Sequence, residues 1–239
     1  MRGEAEAAPI SGVILAGGRS RRLQQDKRKL RLWGASGPTL LEHTLVLIAP
    51  LCAEVVVVLN DPWEWGNLPA RLVPDTLPGT GPAGGLAAGL AAASFPYALV
   101  VGADMPLLNP HLLAWMIHSP RCRGADAFVP LLPAASASAP PHIEPLHAIY
   151  ARACLPRIEA ALEGGTCRMT TLLAMLQTVF ITPSETESFL NINTPADLAR
   201  ARQLLGQRSR AFFKPGVASG PCQRRVLHPQ TPAPQRGGG

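Results

Sequence analysis

The sequence predicts an α/β protein: a single doubly wound, mostly parallel sheet with helices on both faces. Short β-branched or apolar runs recur along the chain, at Val13 to Ala16, Val55 to Leu59 and Tyr97 to Val101. They are too short for helices and apolar at successive positions, as strands buried on both faces are. Segments of helical period lie between them, and a crossover of that length makes the flanking strands parallel. Each run also stops at glycine, asparagine or aspartate, residues that turn a chain. In such a sheet the ligand is expected at the carboxyl ends of the strands.

The elements follow in order. After residues 1–10, expected as a flexible lead-in, the first strand runs into Gly17 and Gly18. Lacking Cβ atoms, these glycines let backbone N–H groups come close to an anion. Behind them stand Arg19, Arg21, Arg22, Lys27, Arg28, Lys29 and Arg31. The residues alone leave two readings open, a solvated or nucleic-acid-binding basic loop and a phosphate cradle. Of the 22 Lys and Arg only Lys27, Lys29 and Lys214 are lysines, so two of three lysines fall here. A compact ammonium can follow a moving phosphoryl group better than a planar guanidinium.

Thr39-Leu40-Leu41-Glu42 is a capping-box pattern, and Leu41, Thr44, Leu45 and Ile48 then recur at helical spacing up to Pro50. Strands are expected at 55–59 and, more briefly, at 71–73, where Pro74 and Asp75 end the run. Asp75 alone reads as a turn former or helix cap. The glycine-rich stretch 79–93 enters another helix, and the strand 97–101 leads into Asp104, placed to hold a divalent cation or to cap the next helix at 109–118. Asn109 before Pro110 serves as that cap by itself. A further strand is expected at 126–132, followed by a mobile proline-rich loop at 133–142. Helices follow at 152–163 and 169–176. His147 reads as a wall or core histidine. Thr194, Pro195 and Asp197 start the last helix, a role sufficient for the Asn191–Pro195 string.

Composition bounds the function. At 239 residues and 47% hydrophobic, the chain suits one domain, expected at 11–205, with a basic, Pro- and Gly-rich tail at 206–239 expected to be disordered. A net charge of +6 favours anionic partners. The five cysteines are scattered and never in a C-x-x-C pair, which argues against a disulfide framework or zinc site and for a reducing cytoplasm. The chain is charge-free from Thr76 to Ala103, but Pro78, Pro82 and Pro96 interrupt it, so no membrane span is expected.

LAGGRSRRLQQDK, residues 15–27, resembles the signature of the molybdenum cofactor guanylyltransferases, matching at Leu15 to Gly18, Ser20, Arg22, Asp26 and Lys27. Leu23 and Gln24 depart from that family's Met and Gly. Asp75 followed by GPAGG at 81–85, the Asp104-Met105-Pro106 triplet, the 144–150 strand and Asn191-Ile192-Asn193-Thr194-Pro195 resemble the family's later motifs, so the likeness spans roughly residues 12–205. The resemblance implies a Rossmann-like nucleotidyltransferase fold. It implies that Leu15, Ala16, Gly17, Gly18, Arg22, Lys27 and Asp75 contact the nucleotide, that Lys27 and Asp104 are catalytic, and that Asp104 binds Mg2+, and it leaves open that one of Asn191 or Asn193 helps the metal or substrate. The implied activity is transfer of GMP from GTP to molybdopterin, releasing pyrophosphate. The expected protein is a cytoplasmic monomer without stable nucleic-acid or membrane partners, making transient contacts with other cofactor-biosynthesis or acceptor proteins. Alternatives are a CTP-dependent molybdopterin cytidylyltransferase or another small-molecule nucleotidyltransferase, from which Gly17 in Leu-Ala-Gly-Gly turns the reading toward guanine, and a non-catalytic nucleic-acid-binding protein.

Overall fold

The structure, a computed structural model, describes residues 8–17, 23, 25–77, 79–134 and 140–212. Gly18 to Arg22, Gln24, the centre of the proline-rich loop (135–139) and the tail from 213 on lie outside the described residues. The sheet-forming order is β1 (Ser11–Leu15), α1 (Leu40–Ile48), β2 (Glu54–Leu59), β3 (Arg71–Pro74), α2 (Pro82–Ala92) and β4 (Tyr97–Gly102). Then come α3 (Pro110–His118), β5 (Ala127–Leu132), β6 (His142–Ile143) and β7 (His147–Ala151). The chain continues through α4 (Leu155–Glu163), α5 (Met169–Ala174), β8 (Thr178–Ile181) and α6 (Pro195–Phe212).

The strands form one sheet in the order β3-β2-β1-β4-β7-β5-β6, with β8 beside β5. The first four are mutually parallel, and β8 is parallel to β5. β7 runs against both β4 and β5, so Val101 near the end of β4 faces His147 at the start of β7. This reversal brings the turn before β7 to the same rim as the carboxyl ends of β1 to β4.

Alternation along the strands divides the core in two. Val13, Val56, Val58 and Val100 point to the side covered by α2, α4 and α5. Ile14, Val57, Leu99 and Val101 point to the side covered by α1 and α3. Each fully buried side chain of this size contributes about 1.5–3 kcal/mol of transfer free energy. The helix α2 lies directly on β1 because Gly89 leaves room: a Cβ there would stand 2.5 Å from Val13 Cγ1. Leu198 and Ala201 of α6 form a third cluster with Leu23, Leu30 and Leu40, fastening the last helix beside the loop that follows β1.

The capping box at Thr39 forms as its sequence predicts: Glu42 N–H donates to Thr39 Oγ1 at 3.2 Å, and Thr39 N–H donates to Glu42 Oε2 at 2.6 Å. Three features differ from expectation. β8 is a strand that the sequence reading lacks, because four residues directly after an apolar helix carry no separating Gly or Pro. The segment 144–150 is a turn, Glu144 to Leu146, followed by strand, and β6 precedes it. The last helix continues to Phe212, past the boundary expected at 205, since its Ala, Leu, Gln and Arg residues outweigh the single Gly206. Among the described residues no helix is long and apolar enough to cross a membrane.

Candidate active site

Backbone hydrogen bonds knit the rim before any side chain is considered. Ala16 N–H donates to Val58 O at 2.9 Å, Ala103 N–H to Leu15 O at 3.0 Å, Asp75 N–H to Leu59 O at 3.0 Å and Gly102 N–H to Leu146 O at 3.0 Å. The chain turns after each strand at the same level. The result is a cavity of about 680 Å³ along the carboxyl ends of the parallel strands, walled by Leu15, Ala16 and Gly17 on one side and Glu144, Pro145 and Leu146 on the other.

Lys27 reaches this cavity from a short 3-10 turn, Lys27–Lys29, started by Asp26, whose Oδ1 accepts from Arg28 N–H at 3.0 Å. The next side chain anchors the turn. Arg28, 5% exposed, donates to Asp61 Oδ1 and Oδ2 at 2.6 and 2.7 Å, to Asp26 at 2.9 and 2.7 Å, and to Ala16 O at 3.1 Å. Hydrogen bonds from Arg28 hold the Asp61 carboxyl below the usual carboxylate range. Thus held, Lys27 donates from Nζ to Asp104 Oδ2 at 2.5 Å, across 77 positions of sequence. It also donates to Asn193 Oδ1 at 3.2 Å.

Asp104 is fixed in turn. Its backbone carbonyl accepts from Ile192 N–H at 2.9 Å, and a Cβ added at Gly102 would stand 2.6 Å from its Oδ1. Only glycine at 102 therefore leaves the carboxylate where it is. Asp104 Oδ2 and Asn193 Oδ1 converge on one ammonium and offer hard oxygen donors. Among the described residues no group of three or more His, Cys, Asp or Glu gathers as a metal cage. The oxygen pair could hold a divalent cation that keeps waters and completes its shell with phosphate oxygens.

The expected site residues Leu15, Ala16, Gly17, Lys27, Asp75 and Asp104 all line this one cavity. Gly18 and Arg22 fall outside the described residues. Asp75 also keeps its turn role, accepting from Leu77 N–H at 3.0 Å. The basic cluster is less uniform than its sequence suggests. Arg28 is held by Asp61 and Asp26, Lys29 pairs with Glu64 at 2.7 Å, and Arg31 donates to the Gly37 carbonyl. Lys27 and Arg28 both line the cavity, Arg28 tied to Asp61 and Asp26 and Lys27 to Asp104.

Further residues that line the cavity include Asn193, Asn60 and Glu144. Asn193 takes part in the cap of α6 only through its backbone: Asp197 Oδ2 accepts from the N–H groups of Asn193 and Thr194 at 3.0 and 2.8 Å. Its side chain is thereby released to meet Lys27, and the capping account of that string is incomplete. Asn60, read as a turn residue, donates to the Gly17 carbonyl and fastens the glycine loop to the end of β2. Glu144, seen only as part of a strand motif, is 5% exposed and pairs with His142 at 3.2 Å. Burial pushes its carboxyl up to about 7, with the charge of Asp104 adding to the effect. His147 is a core residue, one of the two expected readings: it is fully buried, Nε2 meets Ser188 Oγ at 2.9 Å, and its ring lies 4.5 Å from that of Phe189. Burial holds its pKa down at about 4, so it is neutral.

A doubly wound sheet in which β6 and β7 are reversed, a glycine turn after β1 and a lysine–aspartate pair at the strand ends define a nucleotidyltransferase-type α/β protein. Residues 12–179 match the family model described as a MobA-like NTP transferase domain. A probable molybdenum cofactor guanylyltransferase of Chloroflexus aggregans is 43% identical over 204 residues, covering 82% of this chain and 95% of its own. One from Pelotomaculum thermopropionicum is 31% identical, covering 84% and 95%. The crystal structure of molybdopterin-guanine dinucleotide biosynthesis protein A from Archaeoglobus fulgidus superposes with a TM-score of 0.69 at 27% identity, covering 83% of this chain and all of that one. The chain belongs to the MobA-like NTP transferase family.

Proposed function

We propose that this chain transfers GMP from GTP to the phosphate of molybdopterin, forming molybdopterin guanine dinucleotide and releasing pyrophosphate. The observation that carries the reading is the contact of Lys27 Nζ with the Asp104 carboxylate inside the rim cavity, in a chain whose family relatives bear the guanylyltransferase name. An acceptor phosphate oxygen attacks the α-phosphorus of GTP, the bond to the β-phosphate bridge breaks, and pyrophosphate leaves. The nucleophile is already anionic, so the protein need only position two negatively charged reactants and offset their charge.

The shared cavity and the family likeness support the following roles. The backbone of Leu15, Ala16 and Gly17 lines the nucleotide, with Asp75 on its far side, and the family likeness adds Gly18 and Arg22 as nucleotide contacts. Lys27 exchanges Asp104 for the phosphates and stabilises charge on the departing pyrophosphate. Asp104, assisted by Asn193, would hold Mg2+, which when bound supplies further neutralisation of the triphosphate. The test is pyrophosphate release by the full chain with Mg2+, molybdopterin and one nucleotide at a time. Release with GTP, and little with CTP or ATP, is expected; faster release with CTP would replace guanylyl by cytidylyl transfer.

A further inference from the structure

The sheet order places β4, with Asp104 at its end, between the glycine turn of β1 and the reversed strand β7. With the nucleotide over β1 to β3, the cavity wall beyond Asp104 is left to the other substrate. That wall is built from the turn between β6 and β7, pinned by Glu144 N–H donating to Pro130 O at 3.0 Å and His147 N–H donating to Glu144 O at 3.3 Å. It presents Ile143, Pro145 and Leu146 and, among them, the buried carboxylate of Glu144.

A buried carboxylate is costly without donors, and this one pairs with His142, whose side chain is 70% exposed. It is not needed as a general base, because the attacking phosphate is already ionised. It would repel that phosphate rather than bind it. Nor do apolar neighbours suit a hydrated hard cation, which keeps a shell of water. What fits is a flat heteroaromatic lying on Ile143, Pro145 and Leu146 and presenting two adjacent N–H donors to two carboxylate oxygens.

We infer that Glu144 determines acceptor specificity by accepting the N3–H and 2-amino hydrogens of a 2-amino-4-oxopyrimidine edge, the edge of a pterin, while the acceptor's phosphate reaches Lys27. The inference rests on the reading that the acceptor is molybdopterin. Guanine carries the same edge, so the test separates the two substrates.

In steady-state kinetics of the full chain, Glu144→Gln loses one of the two acceptor oxygens. It is expected to raise KM for molybdopterin about ten- to hundredfold, leaving kcat at saturating acceptor and the calorimetric Kd for Mg-GTP near wild type. Glu144→Asp, which keeps the charge on a shorter arm, should fall between. A weakened GTP Kd with unchanged molybdopterin KM would seat guanine at Glu144 and overturn the assignment, as would a changed Mg2+ requirement alone. A second arm needs no variant: binding of free pterin and of lumazine, whose 2-oxo group lacks the amino hydrogens, is read from their own fluorescence. Wild type should prefer pterin by about tenfold or more, and Glu144→Gln should lose the preference. Equal binding by wild type overturns the role of Glu144, whereas failure of wild type to turn over molybdopterin, with the pterin preference intact, overturns only the proposed transfer.

Discussion

The two halves of the sheet meet the cavity in different ways. On the parallel half, β3-β2-β1-β4, the wall is made of strand ends, small residues and main chain, with Asn60 tied to the Gly17 carbonyl. On the antiparallel half the wall is made of side chains carried on a turn, Glu144 foremost. Main chain cannot be varied by substitution, and it suits a triphosphate whose chemistry is common to many reactions. Side chains can be varied, and they suit the substrate that distinguishes one reaction from another. The boundary between the halves is β4, where Asp104 meets Lys27.

The sharpest way to break this contrast is at the boundary. Asp104→Ala should lower kcat for pyrophosphate release by about 10³-fold, with the urea midpoint almost unchanged, because the carboxylate serves the reaction rather than the core. Retained turnover in a folded variant would move the chemistry elsewhere.

Next in size is the anchor beneath Lys27. Arg28→Met leaves Asp61 and Asp26 without their cation and should cost about 3 kcal/mol of unfolding free energy in urea. The pH dependence has a definite sign. Asp61 is held below its usual 3.8 in the folded state, so the pair stabilises the fold above that value and the contribution is lost as pH falls through the lowered one. The stability gap between wild type and Arg28→Met should therefore be constant near neutrality and narrow below about pH 4. A gap independent of pH would show that Arg28 acts by packing alone.

Smaller effects sharpen the comparison. Gly102→Ala pushes on the Asp104 carboxylate and should lower kcat about tenfold by misplacing it, with GTP affinity intact by calorimetry. Thr39→Ala, which opens the capping box of α1 away from the cavity, should cost about 1 kcal/mol of stability and leave kcat unchanged. If Thr39→Ala slowed turnover as much as Gly102→Ala, the rim would not be the separate, rigid unit that its backbone bonds indicate.

The parallel half was the more legible in sequence. β1, β2 and β4 are Val- and Leu-rich runs largely buried on both faces, β3 is a partly exposed edge strand, and each runs out to the cavity, so Gly17, Asp75 and Asp104 could be placed by following a strand to its end. The antiparallel half gives weaker signals. β6 has two residues and β8 four, below the length at which alternation is informative. Glu144 lay inside an apparent strand, and nothing local shows that β7 is reversed and so brings this turn to the shared rim. Asn193 was hidden for a different reason: one residue has two functions, backbone in a helix cap and side chain in the cavity, and the first explained its presence. The basic cluster misled in the opposite sense, because the partners of Arg28 and Lys29, Asp61 and Glu64, lie 33 and 35 positions away.

Lys27 and Asn193 meet across 166 positions, and that span bears on how the protein is made. A nascent chain emerging from the ribosome can assemble β1 to β4 and their helices while the segment that seats the lysine is still untranslated. Completion of the centre then waits for the segment just before the final helix, so a product cut short before Asn193 would lack one of the two oxygens that meet the lysine.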